Sequence, residues 1–305
     1  LEYFSYARNS GQLDFAALTD HAEALDDSKY DQIKSAANAS NVDGTFVAFY
    51  GFEWSSSALY GDVGIINADT YVDSNNPDTD TIPELFNWLS TQDAIAMLHH
   101  PGREDDVGQE FTHFTADYCP KVVGIELFNK NDLFNVYYYN DGYYVDNKTY
   151  LNEAADISAG RNWLIGAGGG LDVHDNTWAG VWNSRLAVLA TAKTRSAIFE
   201  ALQNKRFYST LDKNLRVYFT ANGSPMGSSV EAGMVMFSME AWDDDDESIT
   251  ELYLIKNGTT FESVSGPASH MAWTTGKISL SGEHWYLLVR EQDGDEAVTS
   301  PIFVK

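Results

Sequence analysis

Seven histidines occur in the 305 residues, and four of them stand where apolar runs stop. LDFAALTDHAE carries an apolar run, Leu13 to Leu18, into Asp20 and His21. AIAMLHHPGR ends in His99 and His100, and WLIGAGGGLDVHD ends in Asp172 and His174. A buried strand that ends in an imidazole or a carboxylate delivers a polar group to one edge of a sheet. In barrels and open α/β sheets, sites are built along that edge. Asp172 and His174 are two apart and share a face of an extended strand. Glu53, near the end of the β-rich run TFVAFYGFEWS, could bridge two cations. Taken singly, each of these residues is more often a packing or surface group. Their recurrence at three strand ends points to one metal site assembled from distant parts of the chain. Imidazole with carboxylate suits zinc, manganese or iron rather than an all-oxygen calcium site. Such a site activates water near neutral pH and polarises a phosphoryl or carbonyl oxygen.

The elements that must position these groups can be read in order. Leu1, Phe4 and Ala7 or Arg8 have helical spacing, with Gly11 as a stop. DDSKYDQIKSAANASN reads as a polar-faced helix, and GDVGIINADTY (Gly61 to Tyr71) as a short strand. Ile82 to Leu89 reads as a helix with Pro83 near its start. Ala94 to Leu98, Val122 to Asn129, Trp163 to Gly166 and Arg185 to Ala192 read as strands, and Thr194 to Tyr208 as a helix with Ile198, Phe199 and Leu202 on one side. The tyrosine-rich run DLFNVYYYNDGYYVDN fits a binding wall and a packing surface equally well. Strands alternating with helices to about residue 210 predict a βα-repeat domain, closed or nearly so. From Leu215 the pattern becomes short alternating runs, with Asn222-Gly223 and Asn257-Gly258 as hairpin signals. That predicts an all-β module, most simply a small sandwich. The expected division is 1–212 for the α/β barrel and 213–305 for the β module.

Composition narrows the classes. With 45 acidic against 19 basic residues the formal charge is -26. No basic surface for nucleic acid is expected, nor anchoring on an anionic membrane. The hydrophobic fraction of 44% supports a sizeable core, and no apolar run reaches the length of a membrane span. Cys119 is the only cysteine, so no intrachain disulfide can form. The acidity reads as solubility in a salty or extracellular setting, and an extracellular or periplasmic location is expected, with any signal peptide outside this chain. The acid run Asp243 to Glu247 reads as a solvated turn, because it lacks the spaced loop with glycine of a calcium hand. GAGGG does not complete a dinucleotide fingerprint, and no G-x-S-x-G elbow is present.

LDFAALTDHAE, GFEWS, LHHPGR and GLDVHDNTW together resemble successive motifs of the PHP (polymerase and histidinol phosphatase) superfamily. The branch most resembled is the secreted metallohydrolases that include carbaryl hydrolases, and the similarity extends from residue 1 to about 230. The resemblance implies a distorted (β/α)7 TIM-like barrel with a C-terminal β-sandwich. It also implies two or three divalent metal ions (zinc, manganese or iron) at the C-terminal ends of the strands. Carried over on that basis, His21, Glu53, His100, Asp172 and His174 are metal ligands, with Glu53 bridging. Asp62 stands where relatives commonly place a histidine ligand. His99 stands where relatives often have asparagine and is expected to face substrate. Arg103 is a candidate for gripping a phosphate oxygen, and Asp20 for orienting an imidazole. The superfamily's first motif, H-x-H followed by Asp, is expected before Leu1, and its absence from this chain reads as a clipped segment rather than degeneration.

Two readings of function follow. In the first the chain is a metal-dependent phosphoesterase acting on a small phosphate mono- or diester, with carbamates or carboxylic esters as alternative substrates. In the second the barrel is a non-catalytic pocket and the β module contacts glycan or a cell surface. Asp62 and the missing first motif favour the second reading, and the ligand set that remains favours the first.

Overall fold

The computed structural model describes residues 2–56, 60–100, 118–129, 162–176, 178 and 183–305. Arg103 and the tyrosine-rich run at 132–147 lie outside the described residues. Helix α1 (Glu2–Asn9) buries Phe4 and Ala7 against the first strand's layer. Strand β1 (Phe15–His21) then leads through a single 3-10 turn to α2 (Asp27–Ser40), whose N-cap Asp26 accepts the Lys29 amide at 2.8 Å. Strands β2 (Val47–Ser56), β3 (Gly61–Ile66) and β4 (Ile95–Leu98) follow, with α3 (Ile82–Ser90) before β4. Thr81 and Glu84 form a capping box that starts α3, with Pro83 in its first turn. β5 (Val122–Asn129) and β6 (Gly166–Gly170) complete a six-stranded sheet in sequential order.

The sheet is a mixed half-barrel. β1 and β2 are parallel, as are β4, β5 and β6, but β2, β3 and β4 form an antiparallel meander. The βα repeat expected from sequence is therefore interrupted. β2 ends at Ser56 and β3 begins at Gly61, and so short a link cannot carry a crossover helix, which forces antiparallel pairing. The meander keeps the start of β3 on the same edge as the ends of β1, β2 and β4.

Strand β7 (Arg185–Val188), helix α4 (Arg195–Gln203) and strand β8 (Phe207–Thr210) come next. α4 is shorter than the run of periodicity suggests, because Lys205 takes a positive φ of 56° and turns the chain into β8. β7 and β8 pair with each other, and β8 pairs with β17 (Glu296–Thr299) of the C-terminal sheet. The C-terminal module packs two sheets. One is β10 (Ser224–Pro225), β9 (Leu215–Ala221), β12 (Gly233–Asp243) and β15 (His270–Ser279). The other runs β11 (Ser229–Val230), β18 (Ile302–Val304), β16 (His284–Glu291), β17, β8 and β7, with β13 (Ile249–Lys256) on β16 and β14 (Thr259–Ala268) on β13. The inward residues Val217, Phe219, Phe237, Met239, Leu254 and Trp285 fill the space between the sheets. Asn222-Gly223 and Asn257-Gly258 each take positive φ at both positions and join paired strands, as the hairpin signals require.

Asp243 departs from the reading of its run as a solvated turn. It is the last residue of β12 and only 5% exposed. The alternation of β12 continues through it and points its side chain inward.

Candidate metal centre

Strand register brings the polar strand ends together. His21 closes β1 and lies beside Glu53 of β2, and Glu53 lies opposite Gly64 of β3. Asp62 opens β3, and its carbonyl accepts the His99 amide at 3.0 Å, just beyond β4. His100 and Asp172 both have positive φ, 22° and 46°, an uncommon backbone for such residues that recurs at functional positions. The cavity lined by His21, Glu53, His99, His100, Asp172 and His174 has a volume of about 1090 Å³.

Glu53 is the hinge of the site. It is 6% exposed, and its two oxygens face two different groups. Oε2 lies 3.5 Å from His21 Nε2, which is 3.4 Å from His174 Nε2. Oε1 lies 3.7 Å from His100 Nε2, which is 3.6 Å from Asp62 Oδ2. These separations are too long for good hydrogen bonds. They are close to the spacing of about 3.3 Å between neighbouring ligands of a tetrahedral ion with bonds near 2 Å. With the proton of each ring on Nδ1, the two facing Nε2 atoms would present lone pairs that a cation can share. The imidazole and carboxylate donors, with Glu53, His99 and His100 drawn together, suit a divalent cation.

His99 differs from its neighbours. Its Nδ1 donates to Glu53 Oε1 at 2.5 Å, a true hydrogen bond. Glu53, His99 and His100 form the one group, among the described residues, whose ligand-type atoms lie within 4.8 Å of each other. The short contact makes His99 the holder of the Glu53 carboxylate, with its ring seated over Gly64. A Cβ at Gly64 would stand 2.0 Å from His99 Nε2, so only glycine leaves room for the ring.

The outer contacts fix the imidazoles. His21 Nδ1 meets Ser55 Oγ at 2.9 Å and Glu23 Oε1 at 3.2 Å, which leaves Nε2 for the site. His174 Nδ1 contacts the Asp172 carbonyl at 3.2 Å and its carboxylate at 3.5 Å. His174 is exposed, whereas His100 is buried. Asp20 is exposed and within electrostatic reach of both His21 and His174.

Sequence reasoning missed Glu126. It is 6% exposed, accepts the His100 amide at 2.7 Å through Oε2 and accepts Asn129 Nδ2 at 3.0 Å. The available signal was a lone carboxylate inside VVGIELFN, a run buried at every position. Ser55, behind His21, was also missed.

Electrostatics follow from this concentration of charge. Burial works against an ionised Glu53, but contacts with His100 and His99 hold its carboxyl well below the usual carboxylate range. Burial likewise disfavours a charged His99, yet Glu126 and Glu53 raise its pKa to about 9. His100 is raised in the same way, with Glu53 the largest influence against burial. Asp62 is raised by burial and by the Glu53 charge. Positive charge is what these carboxylates call for.

The solved structures supply a comparison. A two-domain protein from Bacteroides vulgatus, described as containing a predicted PHP-like metal-dependent phosphoesterase, superposes with a TM-score of 0.51. The alignment covers 99% of this chain and 89% of that one, at 15% identity. The two chains share a fold. An engineered protein of solved structure aligns over 91% of this chain at 10% identity, but with a TM-score of 0.22 it carries no argument. No family model and no curated protein matches the sequence. The chain's architecture is thus a half-barrel sheet followed by a separate antiparallel domain, with acidic and imidazole side chains gathered on one edge of the first. Among the described residues, no helix is long and apolar enough to cross a membrane.

Proposed function

We propose that the chain is a metal-dependent phosphoesterase of the PHP type, using two or three divalent cations. One observation carries this reading: buried Glu53, held by a hydrogen bond from His99, sets Oε2 3.5 Å from His21 Nε2 and Oε1 3.7 Å from His100 Nε2. The Bacteroides vulgatus protein's description as PHP-like and phosphoesterase-containing supplies the reaction class. In this proposal His21, His174, His100, Asp62 and Asp172 hold the cations and Glu53 spans them. The cations would activate water and neutralise phosphoryl oxygens. The chain's own groups do the rest. His99 fixes the Glu53 carboxylate, Glu126 pins the backbone at His100, and Asp20 takes up or supplies a proton beside His21. Arg103 is proposed to grip a phosphate oxygen.

The test is hydrolysis of a chromogenic phosphodiester by chelator-stripped protein reloaded with zinc, manganese or iron. Turnover should depend on metal and fall at least about a hundredfold in Glu53→Gln and Asp172→Ala. Metal-loaded protein that hydrolyses no phosphoester, while still binding metal, would overturn the phosphoesterase reading and direct the assay to carbamates and carboxylic esters.

A further inference from the structure

At the far end of the chain, three loops of the β-sandwich converge. They are 211–214 between β8 and β9, 244–248 between β12 and β13, and 292–295 between β16 and β17. Backbone hydrogen bonds tie them pairwise. Leu211 N–H donates to Glu296 O at 2.9 Å, Asp244 N–H to Asn214 O at 3.3 Å, and Gln292 N–H to Ser248 O at 2.9 Å. Each loop brings carboxylates, and three of these are already held in place. Asp212 Oδ1 accepts the amides of Asn214 and Leu215. Asp243 Oδ1 accepts those of Asp245 and Glu247, both at 2.9 Å. Asp293 Oδ1 accepts that of Asp295 at 2.9 Å. Each Asp thus spends one oxygen on its own loop.

Two buried carboxylates carry oxygens with no hydrogen-bond partner. Glu291, at the end of β16, is 3% exposed, and neither carboxylate oxygen makes a hydrogen bond. Asp243 Oδ2 is likewise buried and unbonded. Leaving such a group unsatisfied is costly, and an unpaired buried charge far more so. The neighbours that act on Glu291 are Asp212, Asp243, Glu247 and Asp293, all acidic, and with burial they push its pKa up to about 9. Nearby basic groups are engaged elsewhere: Arg216 holds Asp244 at 2.8 Å and Arg290 holds Glu296 at 2.6 Å. Arg185 acts on Asp212 from the β7 side.

We propose that Asp212, Asp243, Glu247, Glu291 and Asp293 bind a calcium ion that clamps these three loops together. The donors are all oxygen, with no imidazole or thiolate among them, which selects a hard cation. Calcium accepts six to eight oxygens in irregular geometry, whereas magnesium demands a tight octahedron. No three of these carboxylates bring oxygens within the 4.8 Å found among Glu53, His99 and His100. Like charges repel to that wider spacing. Glu247 and Glu291 have long side chains that can close on an ion, while the three Asp carboxylates stay fixed by their loops. The site is separate from the half-barrel centre, which offers imidazole, and it does not depend on any reading of that centre.

The test uses the whole chain, stripped with chelator, and follows its melting temperature. Adding 1 mM calcium should raise the midpoint by about 5 °C or more, and equal magnesium should do markedly less. Glu291→Gln and Asp243→Asn should lose most of the calcium response, and Glu53→Gln, which disables only the half-barrel centre, should keep it. Glu291→Gln should melt no lower than the parent in the absence of calcium, because the amide replaces a carboxyl that makes no hydrogen bond there. Equilibrium dialysis with radioactive calcium should show one ion per chain in Glu53→Gln and none in Glu291→Gln. A parent chain that neither binds nor responds to calcium overturns the proposal, as does a Glu291→Gln protein that responds like the parent.

Discussion

The site is held by very small allowances, and Gly64 is the sharpest of them. Its missing side chain lets the His99 ring lie over β3 and donate to Glu53. Gly64→Ala would put a methyl carbon into that ring, backed by backbone on both sides. The ring must swing away and release the Glu53 carboxylate. We expect metal affinity, measured by chelator competition, to fall about 10- to 100-fold, the usual loss when an outer hydrogen bond to a ligand is removed. Melting should cost only about 1–3 kcal/mol. An unchanged affinity would mean that His99 does not hold Glu53. At this scale the gathering of these groups was legible: His21, Glu53, His100, Asp172 and His174 are polar groups that interrupt apolar runs, and all five line one cavity. Glu126 was not legible, because its partner is the amide of His100, which reaches it through space across two strands. Nothing in VVGIELFN announces that contact. Asp243 was misread for a related reason: an acid among acids looks solvated until the alternation of β12 is followed to its last residue.

Between elements, one hydroxyl joins the half-barrel to the sandwich. Ser300, fully buried, accepts the Ala167 amide of β6 at 3.1 Å and donates to the Phe207 carbonyl of β8 at 2.7 Å. Ser300→Ala strands the Ala167 amide in a dry interior. That should cost about 1–3 kcal/mol, read as a drop in the melting midpoint or in urea resistance with the fold otherwise retained. A variant as stable as the parent would show that water or backbone adjustment serves the amide instead. The sequence offered no hint of this joint, since Ser300 lies 133 residues from Ala167. Local elements were easier to see. The Asn-Gly hairpins and the α3 cap are set by chemistry within four residues. The long strands β14 and β15 carry little periodic signal. FESVSGPASHMAWTT is half exposed and built largely of small polar residues, so its alternation leaves little hydrophobic signal.

Taken whole, the molecule should be sensitive to alkali in a way that a few buried phenols control. Tyr3, Tyr30, Tyr118 and Tyr208 each donate to a backbone carbonyl: Ala17 at 2.7 Å, Ala68 at 2.8 Å, Leu164 at 3.1 Å and Leu215 at 2.8 Å. Burial is the main cause that raises the pKa of each. In the unfolded chain a tyrosine titrates near 10. Below that pH both forms keep the proton, and these residues give stability no pH dependence. Above it the unfolded chain releases protons that the folded chain retains, so stability falls as pH rises. The formal charge of -26 at neutral pH becomes more negative over the same range, and self-repulsion adds to the loss. The four phenols sit in both parts of the molecule, on α1, on α2, just before β5 and on β8, so their release requires these hydrogen bonds to break. Absorbance near 295 nm should therefore report early ionisation of the exposed tyrosines among the 17, then a late step of about four that coincides with the loss of circular dichroism. Added salt should move that step to higher pH by screening the net charge. If all the tyrosines ionise smoothly while the far-ultraviolet signal stays intact, then the four hydroxyls are reached by local opening, and the packing described around them is looser than these contacts require.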